Sequence, residues 1–190
     1  MKRYGIPDEE FIRGDVPMTK AEIRAMVMVK ADIHPTDTVV DVGAGTGSIS
    51  IEAATHASQG KVIAVERHAE GIELIRRNAS KFGLANVEVI HGKAPDALAD
   101  IPQADVVIIG GSGGNLAGIL DEVERMLSKD GRLVVTAVTI ETAQQVVAEL
   151  KKRPFIYEGF QMQVNRLRKA GPYHLFQPIS PIFIITALPK

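Results

Sequence analysis

The stretch Val39-Val40-Asp41-Val42-Gly43-Ala44-Gly45-Thr46-Gly47 decides the fold. A β-branched apolar run breaks into three glycines at alternate positions, and a helical stretch beginning at Ser48 follows at once. A run with so little alternation is a strand buried on both faces, as in a parallel sheet. Glycines at its end let the backbone turn tightly and let a ligand approach without a Cβ in the way, with helix N–H groups just beyond. The plainer reading is a tight strand-to-helix turn. The spacing is G-x-G-x-G, and Ser48 stands where the dinucleotide fingerprint places its third glycine, which argues against NAD.

Outward from this turn, short β-branched runs alternate with longer stretches of helical period, the pattern of a parallel sheet covered by helices. Strands are expected at Thr38 to Val42, Lys61 to Glu66, Val87 to His91, Asp105 to Ile109 and Arg132 to Val138, all reading as buried. Helices are expected at Ser48 to Ala57, Ala69 to Phe82, Leu116 to Leu127 and Ile140 to Lys152, with a weaker turn at Pro95 to Asp100. In the second helix Ile72, Ile75, Ala79 and Phe82 share one face, and Glu70, Glu73, Arg76, Arg77 and Lys81 take the other. After Pro154 the rhythm changes. Phe155 to Arg168 and Ile179 to Leu188 read as two long strands with no helix between them, hence an antiparallel hairpin. A dinucleotide fold would instead continue with helices to a sixth parallel strand. Before the sheet, Thr19 to Ala31 reads as a helix, and Thr19-x-x-Glu22 has the form of a capping box.

The 190 residues suit one α/β domain of three layers, with residues 1–34 as an N-terminal segment and helix and residues 35–190 as the core. The absence of cysteine excludes disulfides, thiolate metal sites and a cysteine nucleophile, and no metal is expected. A net charge of −1 gives no overall electrostatic footprint for nucleic acid. No apolar run approaches the ~20 residues of a membrane helix, and the opening residues lack the apolar core of a signal peptide, so the reading is a cytoplasmic protein.

Glu66 ends the second strand, nineteen residues after Gly47. An acid at that tip accepts hydrogen bonds from the ribose hydroxyls of an adenosine lying across the switch point of the sheet; the alternative is a solvated loop carboxylate. His91-Gly92-Lys93-Ala94 would flank the adenine, with His91 either a base or simply packed or solvated. Together the triple glycine, this acid and the terminal hairpin resemble the class I S-adenosylmethionine-dependent methyltransferases, over roughly Pro35 to the C-terminus. That resemblance implies a Rossmann-like core of five parallel strands plus the hairpin. It implies S-adenosylmethionine as cofactor, leaving S-adenosylhomocysteine, with Gly43, Ala44, Gly45, Thr46, Gly47, Glu66, Arg67, Gly92 and Ala94 about it.

A second glycine run, Gly110-Gly111-Ser112-Gly113-Gly114-Asn115, follows the fourth strand. It lacks the Asn or Asp followed by Pro-Pro found in many methyltransferases that act on nitrogen. It is either a flexible loop or a side-chain-free floor for a bulky planar substrate. With Gly5-Ile6-Pro7-Asp8-Glu9-Glu10-Phe11, Pro17-Met18-Thr19-Lys20-Ala21-Glu22-Ile23-Arg24 and the first glycine motif, the whole chain resembles the decarboxylating precorrin C15-methyltransferases of cobalamin biosynthesis. This resemblance implies methylation of C15 of a precorrin or cobalt-precorrin and loss of the C12 acetate carboxyl as carbon dioxide. It also implies that Thr19 borders the cofactor, and it leaves the catalytic acid or base unassigned.

A tetrapyrrole substrate rich in carboxylates needs cations. Lys20 and Arg24, one turn apart, and Arg166, Arg168 and Lys169 beside the Gly171-Pro172 turn are the candidates, solvated surface charge being the other reading. The substrate floor would be Gly110, Gly111, Ser112, Gly113 and Gly114. Other readings are a class I methyltransferase acting on RNA or protein and an NAD-dependent oxidoreductase. Neutral charge and the missing polar tip weigh against the first, and the hairpin and Ser48 against the second. The family resemblance implies a homo-oligomer, a tetramer, with the apolar residues Ile179 to Ile185 as interface or as core.

Overall fold

The computed structural model describes residues 4–190; Met1, Lys2 and Arg3, with which the N-terminal segment is expected to begin, lie outside the described residues. Five strands, β1 (Thr38–Val42), β2 (Lys61–Glu66), β3 (Val87–His91), β4 (Ala104–Ile109) and β5 (Leu127–Ala137), pair in parallel in the order β3-β2-β1-β4-β5. Helix α1 (Ala21–Ala31) precedes β1, and α2 (Ser48–His56), α3 (Ala69–Lys81), α4 (Leu116–Met126) and α5 (Ile140–Leu150) follow β1, β2, β4 and β5. A single 3-10 turn, Asp96–Leu98, occupies the weak segment after β3. In α3, Ile72, Ile75 and Ala79 are buried and the charged face is exposed, as its periodicity predicts.

Because successive strand residues point to opposite faces, β1 feeds two cores. Val40 and Val42 pack with Leu116, Ile119 and Leu120 of α4 and Val146 of α5. Val39 packs on the other side with Ile23 and Val27 of α1 and Ile49 and Ala53 of α2. Strand order reverses between β1 and β4, so the two glycine runs that follow these strands meet at the switch point, the crevice where open α/β sheets bind ligands.

Three expectations need correction, and one open alternative is decided. The two long C-terminal strands are four: β6 (Phe155–Met162), β7 (Asn165–Ala170), β8 (Tyr173–Pro178) and β9 (Ile182–Pro189). β9 runs antiparallel between β5 and β6 and completes the seven-stranded sheet, whereas β7 and β8 form a separate two-stranded ribbon turning at Gly171-Pro172. Gln163 and Val164 break the first run: the chain leaves the sheet there, so continuous β propensity does not imply one strand. β3 is an edge strand with exposed Glu88 and His91, not a buried one, because nothing pairs beyond it. The third correction concerns the capping box, which does not form: α1 starts at Ala21 without a side-chain cap, and Glu22 is drawn away by Arg166. Of the two readings of the apolar C-terminal run, Ile182, Ile184 and Ile185 take the core one.

Arg24, expected to face a substrate, is 0 % exposed. Its Nε donates to Glu52 Oε2 (3.2 Å), Nη1 to Asp8 Oδ1 (2.9 Å) and to the Thr19 carbonyl, and Nη2 to the Ile6 carbonyl. Its guanidinium also lies over the Phe11 ring at 4.6 Å. Glu52 in turn accepts the Gly5 and Ile6 N–H groups. Arg166 adds a second layer: its Nε donates to Glu22 Oε1 (2.8 Å), and its Nη2 to Glu22 Oε2 (2.5 Å) and Asp8 Oδ2 (3.0 Å). These contacts clasp the N-terminal segment onto the body, and Asn78, bridging Ile12 to the Thr46 carbonyl, ties its middle to the first glycine turn.

Removing one partner of a buried ion pair strands the others without solvation, so Arg24→Met is expected to lower the unfolding free energy by ~3–5 kcal/mol in urea denaturation. Burial pushes the Asp8 carboxyl upward, but the hydrogen bonds from Arg166 and Arg24 outweigh it and hold it below its ordinary 3.8. The Arg166 hydrogen bonds likewise hold Glu22 below 4.5. Lowered carboxyls contribute stability above their unfolded values and lose it as pH falls through the folded ones. The urea midpoint should therefore drop between ~pH 5 and ~pH 3, and Arg166→Gln should flatten that drop.

Candidate active site

A cavity of about 710 Å³ opens at the carboxyl ends of the parallel strands. Its walls are the segment Val16 to Lys20, the first glycine turn, the tips of β2 and β3, the second glycine run, and Ile179, Ser180 and Ile182 beside β9. Gly43, Gly45 and Gly47 all take positive φ (74°, 56° and 77°), which explains their spacing. At Gly43 the requirement is also steric: a Cβ there would lie 2.7 Å from the Gly111 carbonyl oxygen, so the two glycine runs touch backbone to backbone. The N–H groups of Gly110 and Gly111 donate to the Val42 carbonyl, and those of Gly43 and Ala44 to that of Val65, lacing the strand tips together beyond the sheet.

Glu66 is 6 % exposed, not a solvated loop acid. Its Oε2 accepts the Gly45 N–H at 2.9 Å, and its Oε1 accepts those of Arg67 and His68, each at 2.9 Å. The carboxylate thus fixes the glycine turn and its own loop in one rigid cradle, with Oε2 retaining acceptor capacity toward the cavity. Gly71 of α3 makes this possible: a Cβ there would lie 2.7 Å from Glu66 Cγ and 2.9 Å from the Gly45 carbonyl. A glycine inside a helix costs about 1 kcal/mol against alanine, and that irregularity is the sequence signal that marks the position.

Asp41 also lines the cavity and is the residue the sequence reading passed over. It is 1 % exposed; Ser50 Oγ donates to its Oδ2 at 2.5 Å, while Oδ1 has no partner. Burial pushes its carboxyl up to about 6, against the Ser50 hydrogen bond and assisted by the negative charge of Glu66.

Of the expected site residues, Thr19, Lys20, Gly43, Ala44, Gly45, Thr46, Glu66, Arg67, Gly92, Ala94, Gly110, Gly111, Ser112 and Gly113 line this cavity. Gly47 does not: it packs against Ile75 of α3 and serves the turn. Gly114 is exposed beyond the rim. Arg24 and Arg166 are held by Asp8, Glu22 and Glu52, and Arg168 lies exposed on β7 away from the cavity, as do Lys169, Tyr173 and His174 along the ribbon. A residue's charge says nothing of its partners, and here three acids on the N-terminal segment, α1 and α2 had already claimed two of the cations.

A switch-point cavity with a glycine-rich turn, an acid closing the second strand and an antiparallel β9 inserted beside β5 defines a class I methyltransferase. The family model described as "Precorrin methyltransferase domain" matches residues 10–188, and the chain belongs to that family. It is 42% identical over 187 residues to a probable cobalt-precorrin-6B C(15)-methyltransferase (decarboxylating) of Pyrobaculum calidifontis, covering 96% of this chain and 95% of that protein. With the cobalt-precorrin-6B C(15)-methyltransferase (decarboxylating) of Salmonella typhimurium the identity is 37% over 180 residues, covering 94% of this chain and 93% of the relative. Among solved structures, precorrin-6y C5,15-methyltransferase from Geobacter metallireducens superposes with a TM-score of 0.92 at 37% identity, covering 97% of this chain and 96% of the other.

A raised carboxyl pKa in the folded state costs stability when the group ionises, so the cost is absent below its unfolded value and complete above about pH 6. Asp41→Asn, isosteric and never ionised, should melt at nearly the wild-type temperature at ~pH 4.5 and above it at ~pH 8. Circular dichroism at the two pH values reads the difference; an equal offset at both would place the carboxyl in an ionised, solvated state.

Proposed function

We propose that this chain is a decarboxylating C-methyltransferase that methylates C15 of a cobalt-precorrin and removes the C12 acetate carboxyl. The observation that carries the reading is one cavity with two unlike walls, in a chain whose relatives bear that name: an acid-anchored glycine cradle on one side and a side-chain-free glycine run on the other. The residues suit S-adenosylmethionine. Glu66 Oε2, which carries one hydrogen bond from the Gly45 N–H, would accept from ribose hydroxyls, and the orphaned, buried Asp41 Oδ1 suits the ammonium of an amino-acid tail. Thr19 and the chain from Val16 close the cavity from the N-terminal side.

When bound, S-adenosylmethionine would supply a sulfonium methyl that a carbon nucleophile takes in line, the S–CH₃ bond breaking and S-adenosylhomocysteine leaving, which needs no side-chain nucleophile. The contribution of this chain is alignment. The glycine cradle fixes the donor, and the Gly110 to Gly113 backbone leaves room for a flat macrocycle against it. When the acetate carboxyl departs as carbon dioxide, the conjugated ring can take up the electron pair left behind, and a proton replaces the carboxyl. The cobalt-containing substrate is favoured by the names of the relatives and by the match of this chain to them along nearly their full length.

As the family resemblance implies, the reading has a single methyltransferase domain working in the cytoplasm as a homotetramer, on a tetrapyrrole and not on nucleic acid or membrane. Leu167, Tyr173, Leu175 and Phe176 are exposed on the β7–β8 ribbon. Two strands alone are marginal in water, and a second copy would cover these side chains. Light scattering should give a mass of several chains, and Phe176→Lys should lower it; a wild-type monomer would remove the oligomer from the reading.

Mass spectrometry of cobalt-precorrin incubated with the protein and S-adenosylmethionine tests the activity, the product gaining one methyl group and losing one carbon dioxide. In calorimetry Glu66→Ala should weaken S-adenosylhomocysteine binding by ~1–3 kcal/mol, with Glu66→Gln losing less because it keeps one acceptor oxygen. Heat with NAD and none with S-adenosylhomocysteine would overturn the assignment.

A further inference from the structure

We infer that Lys20, Arg67 and Lys93 form a carboxylate-binding rim that holds the acid side chains of the macrocycle over the cavity, an inference that rests on the function proposed above. The charges lining the cavity are sorted by depth. Its two acids, Asp41 and Glu66, are buried. Its lysines and its arginine are half-buried or exposed, and among the described residues none of the three has an ion-pair partner. They come from three separate elements: the end of the N-terminal segment, the tip of β2 and the tip of β3.

Arg67 divides its work. Its backbone N–H belongs to the Glu66 cradle, whereas its guanidinium crosses to the second glycine run: Nη1 lies 3.3 Å from where a Cβ on Gly113 would sit. One histidine holds its backbone and another its guanidinium. His91 Nε2 donates to the Arg67 carbonyl at 3.1 Å, and Arg67 Nε donates to His68 Nε2 at 3.0 Å. The Nη groups remain for a ligand, in the fork geometry that suits a carboxylate.

The opposite balance disqualifies the cations deeper in the fold. Arg24 and Arg166 sit among Asp8, Glu22 and Glu52, so that cluster is net negative and repels an anion. Among the described residues that line the cavity, the rim cations are the positive charges left without an ion-pair partner, and they stand where a planar polyacid would lie across the glycine run.

Binding of uroporphyrin, a planar polycarboxylate, read by fluorescence with S-adenosylhomocysteine present, tests the rim. Lys20→Gln, Arg67→Gln and Lys93→Gln should each raise its dissociation constant about two- to fivefold, and the triple variant roughly tenfold or more. The salt dependence should flatten in the triple variant, with S-adenosylhomocysteine affinity within about twofold of wild type. Arg76→Gln, an exposed charge on α3, controls for net charge and should change nothing. Unchanged porphyrin affinity and salt slope in the triple variant would overturn the rim. So would a parallel loss of S-adenosylhomocysteine binding, which would assign these cations to the cofactor carboxylate. Wild type that binds uroporphyrin and S-adenosylhomocysteine but yields no methylated cobalt-precorrin would overturn the reaction and leave the rim standing.

Discussion

A guanidinium without solvent must find an acceptor for its N–H groups inside the protein, and Arg24 finds them on the N-terminal segment, the end of that segment before α1, and α2. Burying that charge would be prohibitive alone; Glu52, Asp8 and two carbonyls make it tolerable, and each becomes fixed in return. The cavity depends on this arrangement because Val16 to Lys20 is both the stretch leading into α1 and one wall of the site. The same ion cluster reaches the ribbon through Arg166, so elements far apart in sequence are referenced to one guanidinium.

The parts of the fold legible in the sequence were those set by backbone chemistry. The G-x-G-x-G run after an apolar strand, the acid at the next strand tip and the absence of a helix after Pro154 each follow from local constraints, and the β1–α2 turn, Glu66 and the antiparallel β6–β9 pairing lie where those constraints put them, while the insertion of β9 beside β5 does not follow from them. The division of the C-terminal hairpin into sheet and ribbon was not legible. A break at Gln163 and Val164 carries no glycine or proline, and it is the tertiary path of β9 that decides where pairing ends.

Charged residues were read least well, for a physical reason. The helical spacing of Lys20 and Arg24 puts them near one another along the chain, yet one faces the cavity and the other the core. The difference lies in Asp8 and Glu52, sixteen and twenty-eight residues away from Arg24. Asp41 was hidden for the converse reason: in a strand it reads as one polar residue among valines, and only the fold shows that it lines the cavity with one oxygen unpartnered.

The contact between the two glycine runs bears on how such an enzyme can change over evolutionary time. Gly43 cannot acquire a side chain without moving the main chain of Gly111, but Gly111 itself has open space where a side chain would project, whereas Gly113 and Gly114 hold positive φ and would be strained by any side chain. Drift is therefore asymmetric: the second glycine run can gain a side chain at Gly111 and so reshape its wall of the cavity, while its backbone path is fixed by the first. New substrates would be reached by decorating that loop, not by rebuilding it.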